Sequence, residues 1–259
     1  VTVTALEHGC HVLGEKPLAD SMANARTSLA AAAKADRIYA VIQNRRYDPN
    51  IRRLRRLLAS HAIGPLTSVD ADFYLGAHFD GFRAEMDHVL LLDMAIHTFD
   101  AARLISNADP VSVYCREWNA AGSWFAHGAN AVAVFEMTQN IVFTYRGSWC
   151  AEGMNTSWES NWRIVGEHGS VLWNGAEDIQ GEAIETSGEF RSEMAPIVAP
   201  SPAPEDRIGH HTGLMREFID RVRDGGEPET VAHDNIKSLA MVFGAIHSAE
   251  QGREIKIDL

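Results

Sequence analysis

The sequence predicts an α/β segment over residues 1–48 followed by a larger α+β segment over 49–259, with a parallel sheet first and a mostly antiparallel one after it. Three observations carry that prediction. Short apolar strands alternate with helical stretches as far as Ile42, a pattern that implies parallel pairing. Beyond Pro49, runs rich in β-branched and aromatic residues follow one another across short turns such as Gly166-Glu167-His168-Gly169, which favours strands. Helical spacing returns near the C-terminus, where Leu214, Phe218 and Val222 mark one face.

Taken in order, a helix end at Glu7-His8-Gly9-Cys10 leads into a strand at 11–13. A helix over 21–35 follows, favoured by the run Ala30-Ala31-Ala32-Ala33, and then a strand at 38–42. These elements read as the end of a Rossmann-type unit. A helix over 49–60 stops before Gly64-Pro65. Val69, Ala71, Phe73 and Leu75 then alternate with polar residues, as in a half-buried strand. An apolar helix spans 89–105, and further strands are expected at 111–117, 131–137, 141–149, 161–165, 171–173 and 178–186. Residues 195–204 hold Pro196, Pro200, Pro202 and Pro204 and are expected to be an extended connection without regular hydrogen bonding. Two helices close the chain, the first ended by Gly225-Gly226 and the second over 233–250.

At 259 residues and 46% hydrophobic composition the chain can bury a full core. Its net charge of -12, from 23 basic and 35 acidic residues, argues against a nucleic-acid partner, because phosphate binding needs clustered Lys and Arg. The one basic cluster, Arg45-Arg46 with Arg52-Arg53 and Arg55-Arg56, reads mostly as the solvated face of a helix. Cys10, Cys115 and Cys150 are odd in number and widely spaced, so neither a disulfide framework nor a zinc site is indicated and a reducing, cytoplasmic setting is expected. No apolar run reaches the roughly 18 to 20 residues of a membrane span, and the 89–105 helix is broken by Asp93, His97, Asp100 and Arg103.

Those breaks are the informative residues. Asp93, His97 and Asp100 form one stripe on a helix that is otherwise apolar nearly all round. An unpaired buried carboxylate costs several kcal/mol, so the stripe is either an internally satisfied network or the wall of a polar cavity. Lys16 lies at the end of a strand and immediately before Pro17, which disfavours the helical region and holds it extended. The stripe could also be read as a divalent-metal site, although no second His/Glu cluster lies nearby in sequence.

Five pieces, in this order and spacing, carry a resemblance: the turn Glu15-Lys16-Pro17; the run Asn44-Arg45-Arg46-Tyr47-Asp48-Pro49; the turn Ile63-Gly64-Pro65-Leu66; the Asp93/His97/Asp100 helix; and the tail from Gly225-Gly226-Glu227-Pro228 to Ser248-Ala249-Glu250-Gln251-Gly252. Together they resemble the glucose–fructose oxidoreductase and inositol dehydrogenase (Gfo/Idh/MocA) family of nicotinamide-dependent sugar and polyol dehydrogenases. The resemblance covers nearly the whole chain. It implies NAD or NADP as cofactor, a sugar, polyol or related cyclic alcohol as substrate, and a homo-oligomer formed through the open face of the sheet. On the same resemblance 1–48 is the C-terminal portion of the dinucleotide-binding domain and 49–259 the substrate-binding and oligomerisation domain. The family opens with a Gly-x-Gly-x-x-Gly turn whose backbone holds the pyrophosphate, and no such motif occurs here. The chain is therefore expected to begin inside that domain.

Residue chemistry suggests the catalytic roles, and the resemblance adds the cofactor contacts. His97 is the expected general base for alcohol oxidation, Lys16 the donor to the developing oxyanion, and Asp93 the group that holds a neighbouring substrate hydroxyl. Glu15, Lys16 and Arg46 are the expected cofactor contacts, Arg46 having an interdomain ion pair as its alternative. With Asp93 ionised one turn from His97, the imidazolium is expected to be favoured and the base to titrate through roughly pH 7 to 8. Asp100 is expected to position the helix, and His210-His211 to cap the next one. His127, Tyr74, Trp118, Trp124 and Trp149 either line a sugar pocket or belong to the core. The competing readings are a nicotinamide-assisted glycosidase or lyase and a non-catalytic binding protein lacking the cofactor cradle.

Overall fold

The computed structural model describes residues 1–203 and 206–259. The first layer comprises α1 (Thr2–Glu7), β1 (Val12–Gly14), α2 (Met22–Ala35) and β2 (Tyr39–Val41), with β1 and β2 paired in parallel. Ser21 caps α2, its hydroxyl accepting from the Asn24 amide at 3.2 Å, and Asp36 closes the helix with a left-handed backbone. A 3₁₀ turn (Asn44–Tyr47) leads into α3 (Pro49–Ala59). Proline at the first position and Asp48, which accepts from the amides of Asn50 and Ile51 at 2.7 and 3.1 Å, fix its start.

The remaining elements are β3 (Leu66–Tyr74), a π-helical turn (Leu90–Ala95) running into α4 (Ile96–Ser106), β4 (Pro110–Trp118), β5 (Asn130–Met137), β6 (Ile141–Ser148), β7 (Asn161–Gly166), β8 (Gly169–Trp173), β9 (Ile179–Thr186), β10 (Glu193–Val198), α5 (His210–Asp224), α6 (Ala232–Gln251) and β11 (Ile255–Lys256). Nine strands form one sheet in the order β10-β9-β8-β7-β3-β6-β5-β4-β11. Every pairing in it is antiparallel except β3 with β6. The helices α4 and α6 pack on one face, where Phe99 meets Phe135, Phe143 and Tyr145 edge-on at 4.9, 6.0 and 5.2 Å. On the other face Val132, Val134, Val142 and Leu172 stay exposed, the outward half of the period-2 alternation. The two layers are tied directly, because the Val41 amide donates to the Thr230 carbonyl at 3.0 Å just before α6.

Two strands depart from the sequence expectation. Residues 193–198 form β10 rather than an unbonded connection; as an edge strand pairing only with β9, it tolerates Pro196. The Pro204 end of the expected connection lies outside the described residues. The two-residue β11 is too short to leave a periodic signal. The 89–105 helix also differs in kind, since its first part is a wide π turn.

Candidate active site

Lys16 leaves the end of β1 and meets that π turn. Its ammonium donates to the Asp93 carbonyl oxygen at 2.7 Å and to Asp93 Oδ1 at 2.8 Å. A single-turn π segment interrupts the regular ladder and re-aims the groups around it, and here the carbonyl and carboxylate of one residue both bind the lysine. The other oxygen, Asp93 Oδ2, accepts from Arg83 Nε at 2.6 Å, and the Arg83 guanidinium lies 5.3 and 4.6 Å from the ring centres of Phe79 and Phe82. Burial alone would raise the Asp93 pKa, but the hydrogen bonds from Arg83 and Lys16 outweigh it and hold the carboxyl below its usual range. An ammonium has three donors, so Lys16 keeps one proton beyond the two held by Asp93.

His97 and Lys16 line one cleft of about 270 Å³, whose wall also includes Glu15, Arg45, Glu159 and His211. Arg45 is buried, with its Nε 3.2 Å from Glu159 Oε2 and its Nη2 3.4 Å from Met94 Sδ. Burial pushes the Arg45 pKa down against the pull of Glu159, and pushes Glu159 up against the pull of Arg45. Three buried polar atoms here have no hydrogen-bond partner among the described residues: Arg45 Nη1, His97 Nδ1 and the Tyr145 hydroxyl. Burial, followed by the charges of Arg45, Lys16 and His211, drives the His97 pKa well below its usual value. The imidazole is therefore neutral at physiological pH.

That overturns the expected imidazolium. Asp93 does not face His97; both its oxygens are turned to Lys16 and Arg83, and the charges that act on His97 are positive. Asp100, the third residue of the stripe, is buried and chelates Arg46, with Nε–Oδ2 at 2.7 Å and Nη2–Oδ1 at 2.6 Å, while Ser238 donates to Oδ1 at 2.7 Å. The three acid and imidazole groups thus do not converge as a metal set would. Arg46 takes its alternative role: its guanidinium is committed to Asp100, approaches Asp234 at 3.4 Å, and is not part of the first cleft. Its pKa stands above the usual arginine value, since Asp100 outweighs the effect of burial.

Of the sequence-derived residues, Glu15, Lys16, Asp93 and His97 are brought together, and Arg46 is not. Arg45, Arg83, Glu159 and His211 are the additions. Arg45 sits beside Arg46 in sequence with no mark to separate them, and Arg83 lies in a single 3₁₀ turn (Gly81–Arg83) too short to leave a periodic signal. His211 opens α5 without capping it. None of the five sugar-facing candidates lines the cleft: Trp149 is core, Trp124 stacks on His78 at 3.7 Å, and His127 approaches Asp87 at 3.3 Å. Trp158, half exposed at the cleft edge, occupies that position instead.

A nicotinamide fits this lining, in which Glu15 and the Lys16 side chain would hold it.

Parallel strands that end on a lysine beside an ionised carboxylate and a neutral histidine, next to a large open sheet, define the class as a two-part oxidoreductase fold. A family model described as the GFO/IDH/MocA C-terminal domain matches residues 51–172, and one described as the oxidoreductase family with NAD-binding Rossmann fold matches residues 1–43. The chain belongs to this GFO/IDH/MocA oxidoreductase family. Among its relatives, D-apiose dehydrogenase of Paraburkholderia graminis is 27% identical over 98% of this chain and 68% of its own length. The 1,5-anhydro-D-fructose reductase of Ensifer adhaerens is 22% identical, over 99% and 75%. An oxidoreductase from Agrobacterium radiobacter, solved in complex with NAD+, L-tartaric acid and magnesium, shares the fold at a TM-score of 0.81 and 24% identity, covering 99% of this chain and 75% of that one.

Proposed function

We propose that the protein is an NAD(P)-dependent dehydrogenase that oxidises a hydroxyl of a sugar, polyol or related cyclic alcohol, and that it acts as a cytoplasmic homo-oligomer. The observation that carries this reading is the convergence, in one cleft, of a lysine with one uncommitted proton and a histidine held neutral. A bound nicotinamide supplies the hydride acceptor.

The protein residues handle the proton and the charge. His97 Nδ1 is buried, which leaves Nε2 as the nitrogen that takes the hydroxyl proton. Its low proton affinity keeps it ready as a base, and such general base catalysis is worth about 10²- to 10⁴-fold. Lys16 keeps its protons and donates a hydrogen bond through its third N–H to the substrate oxygen as negative charge develops there. Asp93 fixes the lysine and is itself fixed by Arg83, so the donor is already aimed before substrate arrives. In this reading Glu15 and Lys16 contact the cofactor, residues 1–48 form its side of the cleft, and 49–259 form the substrate and oligomerisation side. The exposed row Val132, Val134, Val142 and Leu172 supports an interface on the open sheet face. The three cysteines are free, and no helix among the described residues is long and apolar enough to cross a membrane.

The test is accumulation of reduced nicotinamide by the complete protein with a panel of aldoses and polyols. Cleavage or elimination products without net cofactor reduction would favour the glycosidase or lyase reading instead.

A further inference from the structure

The basic run of the sequence is not the mostly solvated face expected of it. Arg45 and Arg46 are buried in the networks described above. On α3, Arg52 pairs with Glu229 at 2.7 Å, Arg53 donates to the carbonyls of Pro200 and Glu177 at 3.1 and 3.2 Å, and Arg56 pairs with Asp206 at 2.7 Å. Arg55 is the exception. It is only partly exposed, yet among the described residues it makes no hydrogen bond or ion pair.

Arg55 lines a second cleft of about 400 Å³, between α3, α4 and α6, together with Arg46, Arg103 and Lys237. The carboxylates of that cleft are already committed. Asp109 takes Arg103 at 2.9 Å and Lys237 at 2.6 Å; Asp234 takes Arg103 at 2.7 Å. Asp100 is spent on Arg46. Four cations therefore line the cleft with two carboxylates, Asp109 and Asp234; with Asp100 behind them on Arg46, the surplus charge is that of Arg55. Glu229, the remaining acid within reach of its field, is held by Arg52. Burial, with the charges of Arg52 and Arg46, lowers the Arg55 proton affinity against the opposing pull of Glu229. An anion at the guanidinium would relieve that repulsion.

We propose that this second cleft binds a small phosphate-type oxyanion on the Arg55 guanidinium, with Lys237 and Arg103 at its walls. A planar guanidinium matches an oxyanion with two parallel N–H donors, which an ammonium cannot reproduce. The site is independent of the reaction assigned to the first cleft, but it is not remote from it: α4 carries His97 toward one cleft and Arg103 toward the other, and the turn Asn44–Tyr47 sends Arg45 to the first and Arg46 to the second.

Isothermal titration of the complete protein with inorganic phosphate, at constant ionic strength against chloride, tests the assignment. Wild type is expected to bind with saturation, Arg55→Gln at least tenfold more weakly, and Arg55→Lys between the two. A parallel titration with glucose 6-phosphate separates the sources: Arg55-dependent binding tighter than that of free phosphate identifies a phosphorylated metabolite, and equal binding identifies the free ion. Thermal melting of both variants checks folding, and among the described residues Arg55 makes no hydrogen bond or ion pair that either variant would break. Absence of saturable phosphate binding by wild type, or equal binding by wild type and Arg55→Gln, overturns the proposal.

Discussion

Two regions touched by the same helix solve the problem of buried charge in opposite ways. At the far side of α4, Asp100 has both oxygens occupied by Arg46 and Ser238, and Arg103 is bound through Nη1 and Nη2 by Asp109 and Asp234, with only its Nε left without a partner among the described residues. At the near side, His97 Nδ1 and Arg45 Nη1 are buried without partners, and Lys16 holds one proton in reserve. A committed network stabilises and specifies the packing of α4 on α6. An uncommitted one has capacity left for a ligand, at a cost in stability that the rest of the fold must offset. The difference separates the residues that hold the helix from those left free to meet a ligand, although the sequence presents them on one stripe.

Breaking the committed side should give the largest stability change. Asp100→Ala leaves the Arg46 guanidinium buried with only its weaker contacts to Asp234 and the Glu229 carbonyl, at 3.4 Å each. Removing one partner of such a pair typically costs about 3–5 kcal/mol. Urea unfolding should show that loss, while Lys16→Ala, measured alongside, should unfold near the wild-type midpoint. A mild Asp100→Ala effect would mean that the network is no more structural than the cleft.

The converse holds for activity. Lys16→Ala should lower kcat by two or more orders of magnitude, because one preorganised donor at a developing oxyanion is worth about 3 kcal/mol. Near-normal turnover across the polyol and aldose panel would reduce Lys16 to a structural partner of Asp93. Arg83→Ala should fall between, since Asp93 then keeps its lysine but loses its second anchor at 2.6 Å; an increase in KM exceeding the loss in kcat would assign Arg83 to ground-state binding.

How far this contrast was legible in the sequence depends on the physical signal each part leaves. The strands of the large sheet and the helices around them follow from alternation and capping, signals written locally at residues such as Ser21, Asp48 and Phe73. Lys16 is marked by its proline, and the Asp93/His97/Asp100 stripe by its polarity on an apolar helix. Orientation within the stripe was not legible. An α-helical reading puts Asp93 on His97, but the π turn changes the angular relation between them, and no residue pattern here announces such a turn. Likewise, which of the adjacent arginines Arg45 and Arg46 faces the cleft is decided by a 3₁₀ turn that makes neighbours diverge. The partners Glu159 and His211 come from distant chain segments and carry no shared local spacing.

The smallest effect is also the one that most directly tests the uncommitted side. With its pKa held well below 6.5 by burial and by Arg45, Lys16 and His211, His97 stays neutral in the fold while the unfolded chain takes up a proton below about pH 6.5. The sign follows: the depressed value makes stability fall as pH drops below the unfolded pKa, and keeps the base competent throughout the neutral range. The profile of kcat/KM should be flat across pH 7 to 8 in any His97-dependent limb and decline only on the acid side. Arg45→Gln removes the strongest positive charge acting on His97, so its acid limb should move to higher pH, whereas Asp93→Asn should move it little because the Asp93 carboxylate is turned away. An inflection that Arg45→Gln leaves in place but Asp93→Asn shifts would restore the Asp93–His97 coupling that helical spacing alone suggests, and would make the two sides of α4 alike after all.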